Sequence, residues 1–169
     1  IIPDYYEETF KNGLKIIGTK SSEIPKVYMQ LKISGGELLV NKKLSGLAEL
    51  TADMMGESTT NYTSEKISVE LQKLGSSVSF SADEDGTVMY IESLVKNIDA
   101  TLLIAEEKLL RPAFNNDDFK RVKKQTIEGI EASKKNAQYL GFTHFSNQLF
   151  GETPFGRVTT EKSIKKIKL

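Results

Sequence analysis

The chain has 169 residues, 38% hydrophobic and 27% charged, and its 23 basic side chains balance 23 acidic ones. That length can bury a sizeable core with one domain as the default, and the composition excludes a disordered or fibrous chain. Zero net charge excludes the electrostatic footprint of a dedicated nucleic-acid binder, and the lack of cysteine excludes a disulfide framework or thiolate zinc site.

Residues 5–10 and 14–19 are short apolar–polar runs around Lys11-Asn12-Gly13, and an Asn-Gly pair in that setting predicts a β-hairpin. Glu23-Ile24-Pro25 marks a turn, residues 27–33 alternate as a third strand, and Ser34-Gly35-Gly36-Glu37 breaks the chain. In residues 45–58, Leu47, Leu50, Met54 and Met55 recur at helical spacing with Ala48 and Ala52 between them, which predicts a helix. Glu49 and Asp53 stand four apart and project from one face of it. Two acids on one side of a helix, joined by a third from elsewhere, suit a metal ion. The same pair equally suits the wet face of an amphipathic helix.

Asn61-Tyr62-Thr63-Ser64 supplies the next helix start, Ser64, Ile67, Leu71 and Leu74 its amphipathic period, and Gly75 its stop. Residues 76–82 alternate with period two, Asp83-Glu84-Asp85-Gly86 turns the chain, and residues 87–93 return to complete a second hairpin. Residues 98–110 predict a helix stopped at Arg111-Pro112. Asn115 or Asn116 caps a long helix over residues 117–136, with Phe119, Val122, Ile127 and Ile130 spaced for burial. Residues 137–150 continue as another helix after a bend. The basic residues Lys120, Arg121, Lys123, Lys124 and Lys134 read as a solvated surface, since acids balance them and no aromatics interleave. The single histidine, His144, reads as a packed or surface residue, with no Ser-His or Cys-His arrangement near it in sequence.

No apolar run approaches the roughly 20 residues of a membrane span, and no signal-peptide pattern opens the chain. It begins at Ile1 without a methionine, which predicts a processed or excised piece. Its end, Ser-Ile-Lys-Lys-Ile-Lys-Leu, stops in mid-pattern and predicts truncation. The compartment stays open, with bacterial cytoplasm or periplasm as the expectation.

Three motifs carry a resemblance to a known family. Gly46-Leu47-Ala48-Glu49-Leu50-Thr51-Ala52-Asp53 resembles the first helix of the insulinase-type zinc peptidases, the pitrilysin or mitochondrial-processing-peptidase family. Active members carry His-x-x-Glu-His there, on a Gly-x-x-His-x-x-Glu-His frame. Phe10-Lys11-Asn12-Gly13-Leu14 resembles the family's opening hairpin, and residues 149–157 its Leu-(Tyr/Phe)-Gly-x-x-Pro-(Tyr/Phe)-Gly-Arg segment. In this chain the three motif positions are Glu49, Ala52 and Asp53, so both histidines and the catalytic glutamate are missing. The family's third zinc ligand is a glutamate on a later helix, and Glu128 takes that place by its distance from Asp53, with Glu131 one turn further on.

The resemblance implies an α+β fold, a mostly antiparallel sheet with helices packed on one face, like mitochondrial processing peptidase and related metallohydrolases. It implies that residues 1–169 are the first domain of a zinc-less half, cut short at its C-terminal end. No cofactor is then expected, zinc belonging to active relatives only. Glu49, Asp53 and Glu128 together would suit Ca²⁺, Mg²⁺ or Mn²⁺ as oxygen ligands. Ala52 would still leave no general base, a group that contributes about 10²–10⁴-fold. The resemblance also implies that Ser77, Val78, Ser79, Phe80 and Ser81 form a sheet edge that pairs with a peptide substrate. Read from the residues alone, that strand is equally an edge that pairs only within its own sheet. Phe155 and Arg157 lie on a tight loop, either holding it in shape or facing substrate. The implied partner is an active subunit or fused half carrying His-x-x-Glu-His, and the implied function is peptide capture and chamber formation without cleavage. Two other functions stay open: a metal-dependent hydrolase on the three carboxylates, and a purely structural docking domain.

Overall fold

The computed structural model describes residues 4–21 and 23–169; Ile1, on which the expected processed start rests, lies outside them. Strands β1 (Tyr5–Thr9) and β2 (Lys15–Thr19) pair antiparallel as the predicted hairpin. Gly13 closes its turn at φ 88, a backbone that side chains resist. Asn12 Oδ1 accepts from the Leu14 amide at 3.1 Å. Strands β3 (Lys26–Ser34), β4 (Ser77–Ala82) and β5 (Gly86–Leu94) form a three-stranded antiparallel sheet in the order β3-β5-β4. The first hairpin pairs with no other described strand, so the antiparallel structure is divided between two ladders. A buried face is what locks a strand onto a sheet, and every residue of β1 is exposed.

Alternation sorts the three-stranded sheet into a dry face and a wet one. Val78 and Phe80 of β4 stand opposite Ile91 and Met89 of β5, and Leu31 of β3 lies across from Met89. These residues meet Ala52, Ile67, Leu71 and Ala105 in one hydrophobic core. The helices supplying that cover are α1 (Leu47–Met55), α2 (Ser64–Leu74) and α3 (Ile98–Leu110). On the opposite face Ser79, Tyr90 and Gln30 align across the strands, which is the polar-out pattern of a sheet packed on one side.

A second core lies beyond α1. Leu50 and Met54 turn away from the sheet and pack with Val122 of α4 (Asn116–Ser133) and with Ile164 and Ile167 around α6 (Glu161–Lys166). Helix α1 is therefore covered on two sides, Ala52 against the sheet layer and Leu50 against the helical layer. Asn115 is the residue that caps α4, its side chain accepting from the Asp118 amide at 2.8 Å. Asn136 likewise starts α5 (Ala137–Phe150), which buries none of its residues.

The basic face of α4 is exposed at Lys120, Arg121, Lys124 and Lys134, as the sequence reading expects, and it also reaches neighbouring elements. Arg121 reaches Glu57 at 2.5 Å, and Lys134 reaches Glu161 at 2.6 Å. Lys123 donates to the Lys165 and Ile167 carbonyls at the end of α6, at 3.0 and 2.6 Å. Cations placed on terminal helix carbonyls are favourable. Three of the five side chains thus also tie α4 to other elements, through partners from segments remote in sequence. Among the described residues no helix is long and apolar enough to cross a membrane.

Candidate functional site

Helix α1 is set in place before any of its acids act. Gly46 takes φ 93 at its N-cap, and a Cβ there would come within 2.6 Å of Thr159 and 2.7 Å of Ile164. The Gly46 amide donates to Glu37 Oε1 at 2.8 Å. Glycine is required at this position for conformation and for space together. Arg157 donates to the Val40 carbonyl at 2.9 Å and so ties the closing Pro-Phe-Gly-Arg loop to the segment that leads into α1. Phe155 stays half exposed, its ring 5.9 Å from that of Phe150.

On one side of α1 stand the exposed Glu49 and the half-buried Asp53, and Glu57, also half-buried, follows just past the end of the helix. Glu49 Oε2 accepts a hydrogen bond from the Ala82 amide of β4 at 2.8 Å. Asp53 is pushed up to about 6 by its burial, then by the charges of Glu49 and Glu57. Glu57 is paired with Arg121. Lys108, buried beneath this end of α1, donates to the Gly56 carbonyl, and burial lowers its affinity for a proton. Ala52 is 0% exposed, so the position where an active relative would carry its glutamate is filled by core methyl. Glu57 and Lys108 were missed by the sequence reading, and Arg121 was read there only as part of a solvated surface. The repeat of acids at 49, 53 and 57 was available to find Glu57; no local signal marks Lys108.

The third carboxylate does not join them. Glu128 is exposed, and its ion-pair partner is Lys124 one turn away at 3.7 Å. Among the described residues no group of three or more His, Asp or Glu side chains comes together to hold a metal. Zinc does not fit here: both imidazole positions are carboxylates, and one of these is engaged by a backbone amide. The oxygen-ligand set of Glu49, Asp53 and Glu128 is not assembled either. His144 is an exposed residue of α5.

Strand β4 lies at one edge of its sheet. The Asp83 amide donates to the Gly86 carbonyl, and antiparallel pairs alternate between bonded and non-bonded. Counting back along the ladder, Ser77, Ser79 and Ser81 bond to β5, while Val78, Phe80 and Ala82 turn their backbone groups to the open edge. Of those three amides, Ala82 is the one that a side chain occupies among the described residues. A separate groove of about 600 Å³ runs between α2 and α3, lined by Ile67, Leu74, Leu103 and Ile104, and no residue of α1 or β4 borders it.

Comparison with known proteins identifies the family and the fold. The family model for insulinase (peptidase family M16) matches residues 15–162. A Helicobacter pylori protein described as non-peptidase homolog YmxG is 24% identical over 166 residues, 97% of this chain and 38% of that protein. A Rickettsia bellii protein described as an uncharacterized zinc protease is 24% identical over 157 residues, 92% of this chain and 38% of that protein. The crystal structure of a peptidase M16 inactive domain from Pseudomonas fluorescens superposes with a TM-score of 0.88 at 24% identity, over 98% of this chain and 41% of that one. The chain thus spans 38% of the length of each of these curated relatives. From β2 into α6 it follows the family, and it belongs to the insulinase peptidases, family M16.

Proposed function

We propose that this chain is the first domain of a zinc-less M16 half, which captures an extended peptide along the edge of β4 and walls the chamber in which a partner cuts it. The partner is an active subunit or a fused half carrying His-x-x-Glu-His. The observation that carries this reading is the open β4 edge beside α1, with the Val78 and Phe80 amides unpaired by any loop or side chain among the described residues. An extended peptide adds to such an edge by main-chain bonds, with alternate side chains giving selectivity. Ala52 supplies no base and the three carboxylates do not converge, so these residues hold peptide and do not hydrolyse it.

The test is cleavage of a quenched unstructured peptide by the chain alone, by an active His-x-x-Glu-His relative encoded beside it, and by the mixture, each with a chelator control. The expected outcome is no cleavage by the chain alone, and chelator-sensitive cleavage in the mixture faster than that of the relative alone. Cleavage by the chain alone, abolished by Asp53→Asn, would overturn the reading in favour of a carboxylate hydrolase. A mixture no faster than the relative alone would favour a purely structural domain.

A further inference from the structure

We propose that Glu49 is a register stop on the peptide-binding edge: its carboxylate occupies the last outward amide of β4 and ends the ladder available to a bound peptide at Phe80. This rests on the reading of β4 as the capture edge.

Two features stand at this end of the strand, one at Ala82 and one at the turn just after it. The first is the bond from the Ala82 amide to Glu49 Oε2 at 2.8 Å, a charge-assisted bond of ordinary length. The second is the segment just after β3. Its Glu37 and Leu38 amides donate to the Asp83 and Glu84 carbonyls at 3.0 and 2.8 Å. Gly36 lies so close to this turn that a Cβ would meet the Asp83 carbonyl at 2.4 Å. Beyond Ala82 the backbone is therefore covered by the chain itself. Before Ala82, two outward positions remain, Val78 and Phe80, separated by about 6.6–6.8 Å of strand. Glu49 itself is exposed, so it is a side chain a peptide could compete with, unlike the backbone cover. The stop is thus a single carboxylate standing at the position of the first missing histidine. It shortens the accessible ladder from three outward residues to two, and a bound peptide that crossed it would have to take the Ala82 amide from Glu49.

The test is residue-resolved amide hydrogen exchange on the 169-residue chain, with and without saturating neutral unstructured decapeptide, in wild type, Glu49→Gln and Glu49→Ala. In wild type the peptide is expected to slow exchange at Val78 and Phe80, while Ala82 is slow already and does not change. In Glu49→Ala, Ala82 is expected to exchange quickly without peptide and to slow when it is added, with affinity tightening about five-fold for one added ladder bond. Glu49→Gln retains an acceptor oxygen and is expected to keep Ala82 slow. The stop is overturned if Val78 and Phe80 respond to peptide but Ala82 behaves identically in wild type and Glu49→Ala. If no β4 amide responds in any variant, the capture edge and the stop fall together.

Discussion

Asp53 shows how a degenerate site can carry a cost. Its carboxyl is held at about 6 against an ordinary value of 3.8, by burial and by the neighbouring Glu49 and Glu57. The folded chain therefore binds that proton more tightly than the unfolded chain does. Stability from this group is present near pH 4, falls as pH rises through the window from 3.8 to about 6, and stays lost above it. Asp53→Asn removes the penalty without removing the volume. It is expected to stabilise the chain by on the order of 1 kcal/mol at about pH 8, a figure reduced because the side chain is only partly buried, and to give almost nothing at about pH 4. Urea unfolding at the two pH values measures it; an equal gain at both would show that the shift is absent. Ala52 lies one residue away and has the opposite character, a fully buried methyl in the sheet-side core. A glutamate restored there alone would place a carboxylate in apolar surroundings, with no metal to meet it.

At the scale of the element, α1 is the hinge of the packing, since its two apolar sides serve different cores. Leu50, 2% exposed, is the residue joining α1 to α4 and α6. Leu50→Ala is expected to cost about 2–5 kcal/mol, the range for a buried leucine whose neighbours relax incompletely. Because α1 also positions Glu49 against β4, the same variant should speed exchange at the Ala82 amide, through loss of the helix rather than of the carboxylate. Denaturant midpoints and exchange rates together check this, and a loss under about 1 kcal/mol would mean that the second core is not tight. The family's closing loop acts at this scale too. Arg157 Nη1 donates to the Val40 carbonyl, which makes it a brace for the entry to α1, while Phe155 remains available at the surface.

For the whole molecule, the telling feature is apolar surface with no cover. Phe142, Phe145 and Leu149 recur along one face of α5 at 68%, 61% and 60% exposure. Exposed apolar groups scattered singly are ordinary, but a contiguous stripe promotes association. Phe142→Ser with Phe145→Ser is expected to reduce self-association of the isolated chain while shifting its unfolding midpoint by less than about 0.5 kcal/mol. Light scattering against concentration, beside denaturant unfolding, tests both halves; a large loss of stability would show that α5 is packed after all.

How much of this was legible beforehand follows from the range of the interactions involved. Turn and cap chemistry acts over a few residues, so Asn12-Gly13, Asn115, Gly75 and the period of residues 45–58 placed hairpin, caps and helices from the sequence. The same local frame, Gly46 through Asp53, carried the resemblance to the family. Tertiary structure alone decided what these residues touch. Glu49 reads as one of two acids on a wet helix face until Ala82, 33 positions away, is brought beside it. The basic stripe of α4 reads as solvated and largely is, but only the folded chain shows that α6 presents its last carbonyls to Lys123. The first hairpin reads as a hairpin and no more; that it pairs with no other described strand follows only from the packing of the other elements. Periodicity and turn residues are properties of a short stretch of chain; edge, partner and proton affinity are properties of what long-range packing sets against it.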